Sequence, residues 1–273
     1  MSNIRVVVKE GIISGKTAVV LAGVHGNERL NVQLFDRIIP KIKIDKGKVI
    51  FIYANLKAIQ ENKRFIEFNL NRAFRNNLGD KDKEKLEART AREIIPYLNE
   101  ADCLLDLHAS NSKDSKSFVI CQLHSFEFAK AIPCELITSN LEEFEPGSTV
   151  HWMNLQGKTA MGFEAGYLED PESEKRSEGA LMNFLIKAES IKGKIGYTPD
   201  KKFLKIIFLY KNKEAPFIKS REFADFEKLK EKTLIGKEGN KEVYAEAGDI
   251  MLFVRDRDEL NEECFLIAKE ITP

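Results

Sequence analysis

The alternation of short apolar runs with amphipathic segments is the feature of this sequence that most constrains its fold. Residues 17–23 form an apolar run of strand length, and apolar residues then recur at helical spacing over about 28–39. A second apolar run at 49–54 precedes the clearest helical pattern of the chain, over 80–99. Strands that alternate with helices favour a parallel or mixed sheet covered on both faces. The sequence therefore predicts an α/β fold with a mixed central sheet flanked by helices.

The pattern changes after residue 192, where helical stretches become few. Strand-like runs separated by Gly, Pro and charged turns follow at 203–210, 233–235, 250–254 and 264–268. Before this change, further strands are predicted at 5–8, 104–108, 118–121 and 159–164, and further helices near 124–132 and 172–191. We therefore expect a larger α/β domain at 1–194 and a smaller, β-rich C-terminal domain at 195–273.

The composition is that of a globular protein with balanced charge. With 43% hydrophobic residues, the 273-residue chain can bury a full core. Lysine plus arginine and aspartate plus glutamate both number 43, which gives no reason to expect nucleic acid or an anionic membrane as a partner. No apolar run approaches the roughly 20 residues of a membrane span, and no secretory signal is recognisable. The four cysteines lack CxxC spacing, which favours free thiols and a cytoplasmic location.

Two histidines stand where predicted strands end. His25 and Glu28 lie between the strand at 17–23 and the helix that follows, and His108 ends the strand at 104–108. In an open α/β sheet, ligands bind in the crevice at the carboxyl ends of the strands. Alone, the first pair is equally well read as a surface histidine beside a charge at a helix N-terminus. Two histidines and one glutamate, however, form the ligand set of a catalytic zinc site with a position left open for water.

The loop 63–74 combines polar and apolar residues in an unusual way. It carries Arg64, Asn71 and Arg72 and follows the strand at 49–54, so that it would overhang the same crevice. The planar fork of arginine matches a carboxylate bidentately, and asparagine adds neutral donors. The alternative is an ordinary solvated loop whose backbone is held by its phenylalanines.

Glu164 ends the apolar strand at 159–164, between two glycines. Desolvation there would raise its pKa towards the range of a general base, although a strand-end glutamate facing water is the simpler interpretation. The remaining histidines have weaker signals. We expect His124 on the surface, near the start of a helix, and His151 packed beside Trp152.

The order of these motifs is more informative than any one of them. Gly23-Val-His-Gly-Asn-Glu28, Asn69-Leu-Asn-Arg-Ala-Phe74, Asp106-Leu-His108 and Phe163-Glu-Ala-Gly166 follow one another along the chain. In this order they resemble the succinylglutamate desuccinylase/aspartoacylase family, the acylase branch of the zinc carboxypeptidase fold. The resemblance covers residues 23–166, and the β-rich tail is similar to the family's C-terminal domain.

The resemblance implies a cofactor and catalytic roles. It implies one zinc ion per chain, held by His25, Glu28 and His108. It also implies Glu164 as the general base and proton shuttle, and Arg64 as the group that polarises the scissile carbonyl. The ligand set alone does not exclude cobalt or manganese.

For substrate binding, the resemblance implies that Asn71 and Arg72 hold a carboxylate. A small anionic N-acyl amino acid is then the expected substrate, and hydrolysis of its amide the expected reaction. Two alternatives remain open: a zinc carboxypeptidase that trims peptides, and a zinc- or ligand-binding protein without turnover. The resemblance is compatible with a homodimer or homotetramer, but the sequence identifies no interface.

The sequence also departs from the family's pattern. Aspartoacylases carry another arginine shortly before the general base, whereas no arginine lies between Arg92 and Arg176 here. Asn154 or its neighbours occupy that place, and Lys158 is a candidate substitute. Phe265 stands near the position of a late substrate-binding tyrosine. Both departures speak against an acidic acyl group such as succinyl, or an aspartate head group.

Overall fold

The computed structural model describes residues 2–272, which divide into two compact units. The first unit comprises the chain up to Ile137 together with Glu145–Lys201. The second unit comprises Thr138–Phe144 together with the chain from Lys202 onward. The predicted α/β fold, with a large mixed sheet, helices and a C-terminal β-rich region, is confirmed. That 1–194 and 195–273 are separate domains stays a prediction.

The strands of the described chain range from two to ten residues in length. In chain order they are β1 (Arg5–Glu10), β2 (Ile13–Ala22), β3 (Lys46–Tyr53), β4 (Cys103–Ser110), β5 (Phe118–Cys121), β6 (Leu136–Ser139), β7 (Thr159–Tyr167), β8 (Lys202–Lys211), β9 (Phe217–Lys219), β10 (Glu227–Lys228), β11 (Thr233–Glu238), β12 (Lys241–Ala245), β13 (Ile250–Leu252) and β14 (Glu263–Ile271).

The helices precede β8 along the chain. They are α1 (Arg29–Ile38), α2 (Leu56–Glu61), α3 (Asp80–Lys83), α4 (Leu86–Glu100), α5 (Phe126–Ala129), α6 (Leu141–Phe144), α7 (Thr149–Asn154) and α8 (Pro171–Lys187). Two 3-10 turns add Leu70–Arg72 and Leu123–Ser125. No helix among residues 2–272 is long and apolar enough to cross a membrane.

The sheet of the first unit places β2, β4 and β7 side by side. Its strand order is β1-β3-β2-β4-β7-β5. β2 pairs in parallel with β3 and β4, and β4 pairs in parallel with β7. At the two sides, β1 pairs antiparallel with β3, and β5 pairs antiparallel with β7. Because neighbouring parallel strands end at the same edge of a sheet, the segments that follow β2, β4 and β7 lie close together.

Helix α4 supplies much of the apolar surface that packs on this sheet. Its residues Ala91, Ile94 and Leu98 are buried at helical spacing, as the sequence predicts. They belong to a core cluster with apolar residues of β2, β3 and β4. Helices α1 and α8 pack against each other and against β4. The sheet edge that carries the candidate residues is therefore fixed by a packed core rather than by loops.

The single helix predicted over 80–99 is wrong, because the chain breaks it near Lys85. Lys85 is extended, and the carboxylate of Glu67 accepts a hydrogen bond from Leu86 N at 2.5 Å, which starts α4 anew. The helix predicted near 124–132 is likewise shorter, a 3-10 turn followed by the single turn of α5. The helix predicted over 172–191 is confirmed but ends at Lys187.

The second unit is built from antiparallel strands. One group runs in the order β8-β14-β13-β10, and a three-stranded sheet runs β12-β11-β9. All four strands predicted in this region occur, while β9, β10 and β12 are short or charged and have no clear pattern in the sequence. Phe265 is buried in this unit's core, stacked on Tyr210 with ring centroids 5.1 Å apart and close to Phe217.

Candidate metal and catalytic site

The candidate ligands lie just after β2 and within β4, at adjacent strand ends. β2 stops at Ala22, and Gly23 turns the chain with a φ of +73°. A side chain at Gly23 would clash, since its Cβ would lie 2.5 Å from Cδ1 of Ile59. This turn brings His25 and Glu28 beside His108 of β4, and all three side chains are buried. The interpretation of His25 as a surface histidine is therefore wrong.

The two histidines present the same ring nitrogen to the one carboxylate. His25 Nδ1 lies 2.6 Å from Oε1 of Glu28, and His108 Nδ1 lies 3.1 Å from Oε2. The ligand atoms of the three residues all lie within 4.8 Å of one another, and the ring centroids are 5.0 Å apart. The backbone N of Ala109 donates to Glu28 Oε2 at 3.1 Å. This is a buried donor set of the size and chemistry that a divalent metal needs.

The other nitrogen of each ring faces an outer acceptor. His25 Nε2 lies 3.2 Å from Oδ1 of Asn69, and His108 Nε2 lies 3.2 Å from Oδ1 of Asp106. The second contact is an ion-pair approach rather than a well-aligned hydrogen bond. Asp106 also accepts from Thr149 Oγ1 at 2.5 Å. A ring with its proton at Nε2 would turn the Nδ1 lone pair towards the carboxylate, where a cation could bind both.

Burial and mutual charge shift the pKa values of all three residues in the cluster. Burial alone would raise the pKa of Glu28, but the charges and hydrogen bonds of His25 and His108 lower it well below its usual value. Burial lowers the pKa of His25 despite the charge of Glu28. Burial would also lower the pKa of His108, but Asp106 and Glu28 raise it well above its usual value. The carboxylate is thus ionised and available as a ligand at neutral pH.

Glu164 lies on β7, in register with His108 on β4. Burial raises the pKa of Glu164 to about 7, and the charges of Glu28 and Asp106 act in the same direction against those of His108 and Arg64. A carboxyl with this pKa exchanges a proton readily near neutral pH, which is what general acid–base chemistry requires. By solvent accessibility the side chain is half-buried, so that Glu164 still reaches water, as a glutamate at a strand end can.

Arg64 approaches the cluster from the loop after α2. Its Nη1 lies 3.6 Å from Glu28 Oε1, and its side chain is 47% exposed. Its backbone O accepts from Gly26 N at 3.3 Å, which joins the loop to the segment after β2. The guanidinium therefore stands beside the metal-ligand candidates while it still reaches solvent.

A buried carboxylate on α4 holds this loop. The two oxygens of Glu87 accept three consecutive backbone N–H groups, those of Ile66, Glu67 and Phe68 at 2.7, 3.2 and 3.0 Å. Asn55 Nδ2 donates to Glu87 at 3.3 Å. Hydrogen bonds to a charged acceptor are stronger than neutral ones. The loop is thus positioned by Glu87 and is not an ordinary solvated loop held by phenylalanines alone.

Asn71 and Arg72 lie in the 3-10 turn next to the cluster. Asn69 Oδ1 accepts from Asn71 N at 3.0 Å, so that the same side chain contacts His25 and shapes the turn. The Oδ1 of Asn71 is buried and has no hydrogen-bond partner in the described chain. Arg72 donates to Asn71 O at 3.0 Å and forms an ion pair with the buried Glu145.

Other residues named from the sequence lie elsewhere. Lys158 Nζ binds the carbonyls of Leu98 and Asn99 at the end of α4, at 3.2 and 2.6 Å, which argues against its role as a substitute for the missing arginine. His124 is exposed, as expected, and its Nε2 contacts Lys158 O at 2.9 Å. His151 Nδ1 accepts from the backbone N of Gly147 at 3.3 Å.

Sequence reasoning missed four residues that shape the site. They are Asn69, Glu87, Asp106 and Glu145. A signal existed for Asp106, because the two-residue period of a strand places it on the same face as His108. Asn69 opens the motif Asn69-Leu-Asn-Arg-Ala-Phe74, but the resemblance gave it no role. Glu87 and Glu145 reach their partners from distant segments, and no local pattern marks them.

Comparison with known proteins identifies relatives of this chain. The family model of the succinylglutamate desuccinylase/aspartoacylase catalytic domain matches residues 14–172. A succinylglutamate desuccinylase of Pseudoalteromonas atlantica is 28% identical over 150 residues, 49% of this chain and 43% of the relative. A probable aspartoacylase of Acaryochloris marina is 28% identical over 123 residues, 41% of this chain and 40% of the relative. The matches thus span less than half the length of these curated relatives.

Solved structures extend the likeness in fold to nearly the whole chain. The succinylglutamate desuccinylase of Vibrio parahaemolyticus has a TM-score of 0.78 at 17% identity, covering 99% of this chain and 86% of that one. A succinylglutamate desuccinylase/aspartoacylase of Rhodobacter sphaeroides has a TM-score of 0.75 at 17% identity, covering 99% and 89%. At this level of identity, the likeness establishes the fold alone.

Proposed function

Because the chain belongs to the succinylglutamate desuccinylase/aspartoacylase family, we propose that it is a zinc-dependent hydrolase that deacylates an N-acyl amino acid or a related small amide. One observation carries this proposal beyond the family's acylase chemistry. It is the buried cluster of His25, Glu28 and His108, in which both Nδ1 atoms face one carboxylate, with Glu164 in register with His108 on the neighbouring strand.

The donor set suits zinc. Two neutral imidazole nitrogens and one carboxylate oxygen are typical of catalytic zinc sites, and the outer contacts of Asn69 and Asp106 orient the rings as such sites require. A bound zinc ion supplies a Lewis acid and lowers the pKa of a coordinated water towards neutrality. The same donor set also accommodates related divalent metals, so that the choice of zinc rests on ligand chemistry.

In this proposal, Glu164 moves the proton. As a carboxylate it accepts a proton from the attacking water, and as an acid it returns that proton to the leaving amine nitrogen. Its raised pKa, about 7, suits both directions. Arg64 donates hydrogen bonds to the carbonyl oxygen, on which negative charge develops during attack. Its closeness to Glu28 supports this role.

Asn71 and Arg72 bind the carboxylate of the amino acid. The side-chain amide and the guanidinium donate hydrogen bonds that orient the substrate, so that its amide would face Glu164 and the residues that would hold the metal. The 3-10 turn that carries both residues is tied to His25 through Asn69. Substrate orientation and ligand position are therefore linked through one side chain.

The test is Glu164→Gln against a panel of N-acyl amino acids and short peptides. Loss of the proton carrier is expected to lower kcat by about 10²–10⁴ while metal content stays unchanged. Glu169→Gln serves as the matched control, because Glu169 is exposed five positions along the chain and should leave the rate unchanged. A Glu164→Gln variant with full activity would remove Glu164 from the mechanism, and cleavage confined to peptides would favour a carboxypeptidase.

A further inference from the structure

We propose that Arg176 is a positioning residue, which holds the carboxylate of Glu164 in place through a β-bulge at the end of β7. This inference rests on the proposed function, because it concerns the aim of the general base. Its basis is the hydrogen bond that Arg176 Nε donates to the backbone O of Ala165, the residue next to Glu164, at 2.7 Å.

Glu164 is the last residue of β7 that stays in regular register with both neighbouring strands. It lies opposite His108 of β4 and opposite Phe118 of β5, and the pairing with β5 ends there. On the β4 side, the next paired residues are Ser110 and Tyr167, so that two steps along β4 face three steps along β7. One extra residue in one strand is a β-bulge, a feature that re-aims side chains and is common beside active sites.

The bulge depends on a backbone conformation that few residues adopt. Gly166 has a φ of +95°, which glycine adopts without the steric cost that other residues incur. A Cβ at this position would lie 3.0 Å from Ser115 O and 3.1 Å from Nη2 of Arg176. Ala165 and Gly166 are buried, so that the carbonyl groups of the bulge have little access to water. They need donors from the protein, because a buried carbonyl without a partner is costly.

Arg176 of α8 is joined to this bulge by three hydrogen bonds. Its Nε has one hydrogen, which it donates to Ala165 O. Its Nη2 donates to Asp170 Oδ2 at 2.6 Å and to Ser173 Oγ at 2.8 Å. Ser173 Oγ lies 2.6 Å from Tyr167 O and 3.2 Å from Ala165 O, and its single hydrogen favours the shorter contact. The guanidinium is therefore the main donor to Ala165 O within the described chain.

The partners of the guanidinium belong to the start of a packed helix. Asp170 caps α8, since its Oδ1 accepts from Glu172 N at 3.0 Å, and Ser173 in the first turn is fully buried. The helix itself packs against β7. The carbonyl next to Glu164 is thus held from a fixed support, and the bulge sets the direction in which the side chain of Glu164 leaves the strand. Without the guanidinium, the bulge would turn this carbonyl towards another donor and move the carboxylate.

The experiment is a double-mutant cycle of Arg176→Met and Glu164→Gln, measured on the N-acyl amino acid that wild type hydrolyses fastest. Methionine keeps an unbranched apolar stem but has no donor. Arg176→Met should lower kcat by about 10- to 100-fold, with KM within about threefold, because a misplacement of about 1 Å costs up to about 10²-fold in rate. Metal content should stay unchanged. In the Glu164→Gln background, Arg176→Met should lower kcat by less than about twofold, because no proton carrier is left to position.

Two further variants separate position from fold. Lys175→Met is the matched control, because the side chain of Lys175 is 72% exposed and pairs with Glu172, and it should leave kcat unchanged. Asp170→Asn weakens the hold on Nη2 but keeps the guanidinium, and should lower kcat by about two- to fivefold, because hydrogen bonds to a charged acceptor are stronger. This loss should also vanish in the Glu164→Gln background. If Arg176→Met does not fold, the same cycle with Asp170→Asn decides.

Crystal structures give a readout that does not depend on turnover. In Arg176→Met, the carboxylate of Glu164 should be displaced relative to His108 by about 1 Å or more, whereas Lys175→Met should match wild type. An unmoved carboxylate, a loss in KM alone, or equal losses of kcat in the two backgrounds would overturn the inference. If wild type hydrolyses no N-acyl amino acid, the proposed function fails, and the position of Glu164 in these structures still tests the role of Arg176.

Discussion

Replacement of Glu87 by glutamine tests whether one buried carboxylate positions the loop that carries Arg64. Glutamine keeps one acceptor oxygen and places an NH2 group where the other stood, opposite backbone N–H donors. Oε1 of Glu87 accepts from Ile66 N and Asn55 Nδ2, and Oε2 accepts from Glu67 N and Phe68 N. Glutamine can keep only one of these two pairs of hydrogen bonds. A hydrogen bond to a charged group contributes about 1.5–3 kcal/mol, so that the free energy of unfolding should fall by about 3 kcal/mol or more.

Glu87→Gln should affect catalysis by displacing Arg64. If the loop loses its anchor, the guanidinium loses its place beside Glu28, and kcat should fall by about tenfold or more. Arg64→Ala should then cost much less in the Glu87→Gln background than in wild type, because both changes remove the same contact. A structural role unrelated to Arg64 would instead give additive losses.

The assays are urea unfolding and a double-mutant cycle of kcat. Glu84→Gln is the matched control, because Glu84 is exposed three positions before Glu87 and should change stability by less than about 0.5 kcal/mol. A Glu87→Gln protein with wild-type stability and wild-type kcat would refute the anchoring role. So would additive losses in the cycle.

Three further predictions follow from pKa values and backbone geometry. The kcat/KM of wild type should fall as pH drops through the pKa of Glu164, at or below about 7 because a bound metal lowers it, and Glu164→Gln should lose this limb of a pH–rate profile. Glu238 has a pKa lowered to about 2 by a tyrosine hydroxyl and backbone N–H groups, so its stabilisation is present above about pH 4.5 and lost towards pH 2. Glu238→Gln should therefore lower stability at pH 7 and flatten its acid dependence in urea unfolding. Gly147→Ala should lower the Tm more than Gly157→Ala, because both have positive φ but only the first Cβ would meet the backbone of Arg72.

The residues that sequence patterns could identify are those at the ends of strands. His25 and His108 follow or end apolar runs, and parallel pairing of β2 with β4 brings such ends together whatever the detailed packing. Glu164 was identifiable for the same reason, since β7 pairs with β4 in register at His108. These positions follow from the spacing of apolar residues and from the order of strands and helices along the chain, and both can be read from the sequence.

The residues that escaped prediction act across distant segments. Glu87 sits within the apolar pattern of α4 as an ordinary helical glutamate, and only the folded chain brings the loop's N–H groups to it. Glu145 and Arg72 are far apart in sequence and meet through a backbone contact at Gly147. The break before α4 was missed because the side chain of Glu67, from another loop, accepts the first N–H of the helix.

The measurement that tests the account most directly is metal content per chain, by elemental analysis, for wild type and His108→Ala purified without added metal. The account predicts about one zinc ion per wild-type chain and almost none in the variant. His124→Ala, which removes an exposed histidine away from the cluster, should keep the wild-type content. A wild-type protein that holds no metal, even after zinc is offered and the excess is washed away, would contradict the account.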